Sequence, residues 1–130
     1  MKAGIALALA LAGVANAWAS SDYRCTIDRT ESAAESQLNQ MYIGKQFTVE
    51  RQSGLMAGAL KNSFFTDPVV VDQGSTENSF KVVTTMRRDQ GAGGGSAIYA
   101  LTIMEYHDTP RKPFIFLRDA EAFLGWCEHF

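Results

Sequence analysis

Hydrophobic and polar positions alternate along most of this chain, with the period of two that marks a half-buried strand. Between Asp22 and Arg29, Tyr23, Cys25 and Ile27 fall on one side, and Arg24, Thr26 and Asp28 on the other. From Lys45 to Gln52 the pattern recurs, with Phe47, Val49 and Arg51 opposing Thr48 and Glu50. Gln52-Ser53-Gly54 reads as a turn, and Leu55 to Leu60 as the returning arm of a hairpin with Gly58 marking a bulge. Pro68 opens a brief strand over Val69 to Val71, and a polar connection turns at Gly74. Ser79 to Met86 alternates again, with Phe80, Val82, Thr84 and Met86 against Lys81, Val83 and Thr85. The longest signal is Ala97 to Tyr106, whose two faces are both mostly apolar. That predicts a strand in mid-sheet, covered on both sides. Phe114 to Leu117 and Phe123 to Cys127 complete the set, with a turn from Arg118 to Glu121 between them.

One stretch reads as a helix. Ser32 and Glu35 have capping-box spacing, and Ala34, Leu38 and Met41 fall on one helical face, with Gly44 as terminator. So short a helix needs a sheet to pack on, and the second face of the Ala97 strand is where it is expected. The whole pattern predicts a mainly β fold, with α+β as the alternative. It would be an antiparallel meander forming a curved sheet or a small β-barrel of seven or eight short strands, with one short helix.

The first residues change the picture of where the chain works. Met1-Lys2, an apolar run from Ala3 to Ala12 and the A-x-A box Ala15-Asn16-Ala17 are laid out as a secretory signal peptide. Cleavage is expected after Ala17, or after Ala19 at a second small-residue box, leaving residues 18–130 as one β domain. No later stretch approaches the roughly 18 apolar residues of a membrane span. The protein is therefore expected to be exported, periplasmic or secreted. In an oxidising compartment the two cysteines, Cys25 and Cys127, are expected to form a disulfide joining the first and last strands. Barrel closure would bring those strands together.

Charge excludes one class of partner. With 12 basic and 14 acidic residues, the chain has no electrostatic footprint for nucleic acid. The glycine loop at positions 91–95, beside Arg87 and Arg88, could form an anion-binding nest. A strand follows it rather than a helix, and no P-loop signature is present, so it reads as a hairpin tip. There is no G-x-S-x-G and no C-x-x-C; Glu105 and His107 are permissive for one metal, but two ligands do not make a site, and no cofactor is expected.

Candidate site residues fall in two places. Phe64-Phe65, in an irregular loop, is a candidate contact point. Glu105, Tyr106 and His107 form the single cluster of acid–base character, with Glu105 and His107 on one face of an extended strand. Binding residues are thus expected among Phe64, Phe65, Arg87, Arg88, Tyr106 and His107. They would lie on, or one residue before, the loops 61–68, 88–96 and 107–112, gathered at one end of the sheet. In organisation, though in no motif, the chain resembles small exported β-barrel proteins with one disulfide, among them bacterial inhibitors of lysozyme or proteases. That likeness implies a monomeric or weakly oligomeric binding module for a protein or small ligand, acting as an inhibitor. The other readings are a hydrolase or metal-dependent enzyme built on Glu105 and His107, and a structural protein of the cell envelope.

Overall fold

The computed structural model describes residues 21–34, 38–91 and 93–130. The residues read as a leader, and Glu35, lie outside them. Eight strands follow in order: β1 (Tyr23–Ser32), β2 (Gln46–Val49), β3 (Met56–Gly58), β4 (Val69–Gln73), β5 (Phe80–Met86), β6 (Ala97–Ile103), β7 (Lys112–Arg118) and β8 (Glu121–His129), with one 3-10 helix, Leu38–Tyr42, between β1 and β2. All pair antiparallel in one sheet of order β3-β2-β1-β8-β7-β6-β5-β4. The sheet curls into a half-barrel.

Alternation explains the core. Tyr23, Cys25, Ile27, Phe47, Val49, Phe80, Val82, Leu101, Ile103, Phe114, Phe116, Phe123 and Cys127 all point into the concave face and are buried there. Asp28 is a bulge: Ile27 pairs with Gly125 and Arg29 with Leu124, so the extra residue stops the β1 alternation at Ile27. Gly125 admits the closest approach in the sheet. A Cβ on it would sit 1.9 Å from the Thr26 carbonyl oxygen.

The two ends of the chain meet in mid-sheet. Cys25 and Cys127 face each other directly across β1 and β8 and are disulfide-bonded. The edges are instead β3 and β4, consecutive in sequence and linked by the segment 59–68. Across this gap the β2–β3 turn packs on β4 and β5. Gly54, at φ +78°, has no room for a side chain, since a Cβ would meet Val82 at 2.4 Å and Val70 at 3.1 Å. The seam does not zip shut, for two local reasons. Buried Asn62 takes up the free edge of β3, accepting from the Met56 N–H at 2.9 Å and donating to the Gly54 carbonyl at 2.8 Å. On the other side, Val71 is a bulge between Val70 and Asp72 that interrupts β4.

Four expectations are corrected. The central strand ends at Ile103, not Tyr106, because the chain turns from Glu105 onward. It is covered on one face only, with Ile98 largely exposed on the convex side. Ser32 is not a helix cap but the end of β1, paired with Glu121. The 3-10 helix sits over the concave side, where Tyr42 meets Phe123 edge-on at 5.4 Å, and Met41, expected to be buried, is exposed.

Candidate functional site

The half-barrel has two dissimilar ends. At one, β1 starts and β2, β4, β6 and β8 finish. Their terminal side chains form a clasp around Glu105. Its carboxylate receives His129 Nε2 and, at 3.4 Å, an Arg51 Nη1. Arg51 spans the open seam. Its Nε donates to the Gln73 carbonyl at 2.9 Å and its second Nη to that of Gly74 at 3.0 Å, while its backbone N–H donates to Asp22 at 3.0 Å. Beneath lies Tyr23, with the Arg51 guanidinium 5.7 Å and the His129 ring 4.6 Å from its ring centre. The Tyr23 hydroxyl is buried without a hydrogen bond of ordinary geometry. Burial first, then the charge of Glu105, push this phenol far above its ordinary value, against an opposing pull from Arg51.

The chemistry open to this clasp is narrow. His129 Nδ1 faces the Ser21 carbonyl at 3.1 Å, which can only accept, so Nδ1 carries a proton. Nε2 faces both oxygens of Glu105. Neither ring nitrogen is open to a substrate. Glu105 engages His129 rather than His107, which bonds Thr109 at 3.0 Å in an exposed turn. The pair expected to share a strand face is therefore not brought together. Tyr106 is exposed in the same turn. Among the described residues no group of three or more His, Cys, Asp or Glu is placed to hold a metal ion.

The other end is an open mouth, which gathers the first two of the three expected loops; loop 107–112 sits at the clasp. Phe64 and Phe65 are each 60% exposed on the segment that joins the edge strands. That segment is braced. The Thr66 hydroxyl donates to the Thr85 carbonyl at 2.8 Å, Ser63 donates to the Thr66 carbonyl, and Asn62 is anchored as described. Phe64 leans on Tyr99 at 6.0 Å between ring centres, and Tyr99 stacks at 6.2 Å on core Phe116. Arg87 pairs with Asp89 and Arg88 donates to the Gly94 carbonyl, both on the exposed β5–β6 hairpin.

Beside Tyr99 the mouth opens into a cleft of about 800 Å³, lined by Asn39, Tyr42, Lys45, Arg118, Asp119 and Glu121 among others. Arg118 donates from Nε and Nη2 to Glu121 at 3.2 and 3.1 Å, and its guanidinium lies over Tyr42 and Phe123. Burial alone would lower its pKa, but Tyr42 and Glu121 outweigh that and raise it. Asp119, the one described non-glycine residue at positive φ (52°), turns the β7–β8 hairpin and accepts the Ile98 N–H at 2.9 Å.

Sequence reasoning missed Arg51, His129, Asn39, Tyr42, Tyr99 and Arg118 as site residues. For two of them a signal was present: Arg51 continues the apolar face of Phe47 and Val49, and His129 that of Phe123 and Cys127. A charged side chain at the end of a buried face is a group that will cross to another element. Trp126 lies on the convex face with the Arg111 guanidinium 3.9 Å from its ring centre.

Fold and geometry define an antiparallel half-barrel, clasped at one end and open at the other. Compared with known families, curated proteins and solved structures, the chain matches none of them.

Proposed function

We propose that this protein is an exported binding module that takes a protein partner at the open mouth, with Phe64 and Phe65 as its anchor. One observation carries the reading: two adjacent phenylalanines stand out to solvent on a segment that hydrogen bonds brace. Exposed aromatics on a pre-organised support lose little entropy on binding and make strong anchors. A loop of this kind can fill an enzyme's pocket, which is how the module would act as an inhibitor of an extracytoplasmic enzyme. The leader-like residues 1–17 and the disulfide support export. No described helix is long and apolar enough to cross a membrane. The hydrolase reading paired Glu105 with His107; against it, Glu105 bonds His129 while His107 turns to Thr109.

The test is site-specific crosslinking in the organism that makes the protein. A photoreactive benzoylphenylalanine replaces Phe65, or Val71 on the exposed edge strand as a control. A discrete adduct from position 65, lost when Phe64→Ala is added and absent from position 71, is the expected result. No adduct at 65, or equal adducts at both positions, rejects the reading.

A further inference from the structure

The convex face of the sheet carries apolar surface that no described layer covers. On β6, β7 and β8 its positions are held by Ile98, Ala100, Ile115, Leu117, Leu124 and Trp126, set side by side by the pairs Ala100–Leu117 and Ile115–Leu124. Ile98 and Leu117 are exposed. On β5 the face turns polar at Lys81 and Thr85. On β1 it ends at the bulge. The extra residue leaves Asp28 and Arg29 both exposed on this face, between Ile27 and Thr30, which turn inward. Among the described residues neither of these two side chains has an ion pair or a hydrogen bond. They form one wall of a trough of about 670 Å³, with Pro113 and Ile115 on the other wall and Leu124 between. A contiguous apolar surface rimmed by polar groups marks a site of association.

We propose that the convex face pairs with the same face of a second copy of this chain about a twofold axis, with Asp28 of each copy against Arg29 of the other. The proposal goes beyond the reading of the mouth and does not depend on it. An acid beside a base, both unpaired, is its own complement under a half turn: each meets the other's opposite, and the second contact repeats the first. Other occupants match less of the surface. An anionic lipid surface or a nucleic acid would meet Asp28 with like charge, and an apolar small molecule would use neither charge. The trough lets two outward-curved faces engage, because the aliphatic stem of Arg29 from one copy can lie along Leu124 and Ile115 of the other. Four strands about 4.8 Å apart, each about seven residues long at about 3.3 Å per residue, present roughly 400 Å². Two copies would bury roughly 800–900 Å², the low end of specific interfaces, which suits a weak dimer rather than a permanent one. The mouths open from the concave side, so back-to-back pairing leaves both free.

Sedimentation equilibrium on the oxidised protein measures the dimer Kd in the parent, in Asp28→Arg, in Arg29→Asp and in the double exchange of both. Each single change sets like charges against each other twice, so each should raise the Kd by about tenfold or more. The double exchange restores both pairs in reversed order and should return the Kd to within about threefold of the parent. An equimolar mixture of the two single variants should associate again, since each supplies the charges the other needs. Both positions are exposed, and the urea midpoint checks that folding is unchanged. Should a bulge variant prove unstable, Leu117→Lys reads the same face from β7 and should remove the dimer. A parent that stays monomeric at about 1 mM overturns the proposal, because even a Kd of hundreds of micromolar would show there. So does a Kd unchanged by both single exchanges, or a double exchange as weak as the singles. A dimer lost in Phe64→Ala with Phe65→Ala, but kept in the charge exchanges, would run through the mouth and equally overturns it.

Discussion

Arg51→Ala tests whether the clasp holds the seam. The side chain reaches across the gap to two carbonyls of the β4 end and to Glu105, and is 21% exposed, against 11% for Glu105. A hydrogen bond to a charged group contributes about 1.5–3 kcal/mol. The 3.4 Å contact to Glu105 is the weakest, and water can replace part of the bonding at the two carbonyls. Taken together, about 3 kcal/mol is expected to be lost. That is a large share of the stability of a domain this size. It corresponds to a fall in Tm of about 12 °C, or a shift of about 1.5–2 M in the urea midpoint at unchanged slope. Arg51→Lys keeps the charge but has one nitrogen where three acceptors wait, so it should recover about half the loss. Urea titration followed by tryptophan fluorescence, with the disulfide intact, reads all three proteins. An Arg51→Ala midpoint indistinguishable from the parent, or full recovery by Arg51→Lys, refutes the argument that a forked cation fastens the two halves of the sheet.

Tyr23→Phe should raise stability by about 1 kcal/mol at neutral pH, because it removes a buried hydroxyl without a partner. Its folded-state phenol lies above the unfolded value of about 10. Above that pH the unfolded phenol ionises while the folded one stays neutral, so stability falls as pH climbs, and Tyr23→Phe should flatten the alkaline limb of a stability–pH curve. Gly125→Ala puts a methyl group 1.9 Å from the Thr26 oxygen and 2.9 Å from the Phe114 ring. Both strands of the central pair would have to part, at more than about 3 kcal/mol, and circular dichroism should show a largely unfolded chain. Replacing Cys25 and Cys127 by Ala opens a loop spanning a sequence separation of 102 and should cost about 4–5 kcal/mol on the chain-entropy view. Both cysteines are fully buried, so native protein should resist dithiothreitol until denaturant is added, and thiol labelling should follow unfolding.

Much of the strand pattern was legible in the chain by itself. A period of two places Tyr23, Phe47, Phe80, Leu101 and Phe116 on inward faces whatever lies opposite, because side chains on an extended backbone alternate. Two cysteines in a chain whose first residues read as an export signal were enough to expect their bond. The start of the helix was misread because Ser32, a good cap, is also a tolerable strand residue. Pairing with Glu121 on β8 decided the matter, and that partner lies far away in sequence. The second face of the Ala97 strand was misread for a related reason. Apolar residues such as Ile98 do not by themselves summon a covering layer.

Tertiary structure alone decided which strands became edges, and with that where the open end lies. Local pattern carries no information on strand order. Here the chain ends pair in the middle, and an asparagine side chain at position 62 occupies the ladder position through which β3 would have closed a barrel. The clasp and the cleft follow from that order, since Arg51, Glu105 and His129 meet only when β2, β6 and β8 finish together. Asn39, Tyr42, Tyr99 and Arg118 come together only where β1, β6, β7 and β8 meet at the opposite end. Periodicity settles which way each side chain faces. Strand order settles which side chains face each other, because it depends on hydrogen bonds between segments far apart in the chain.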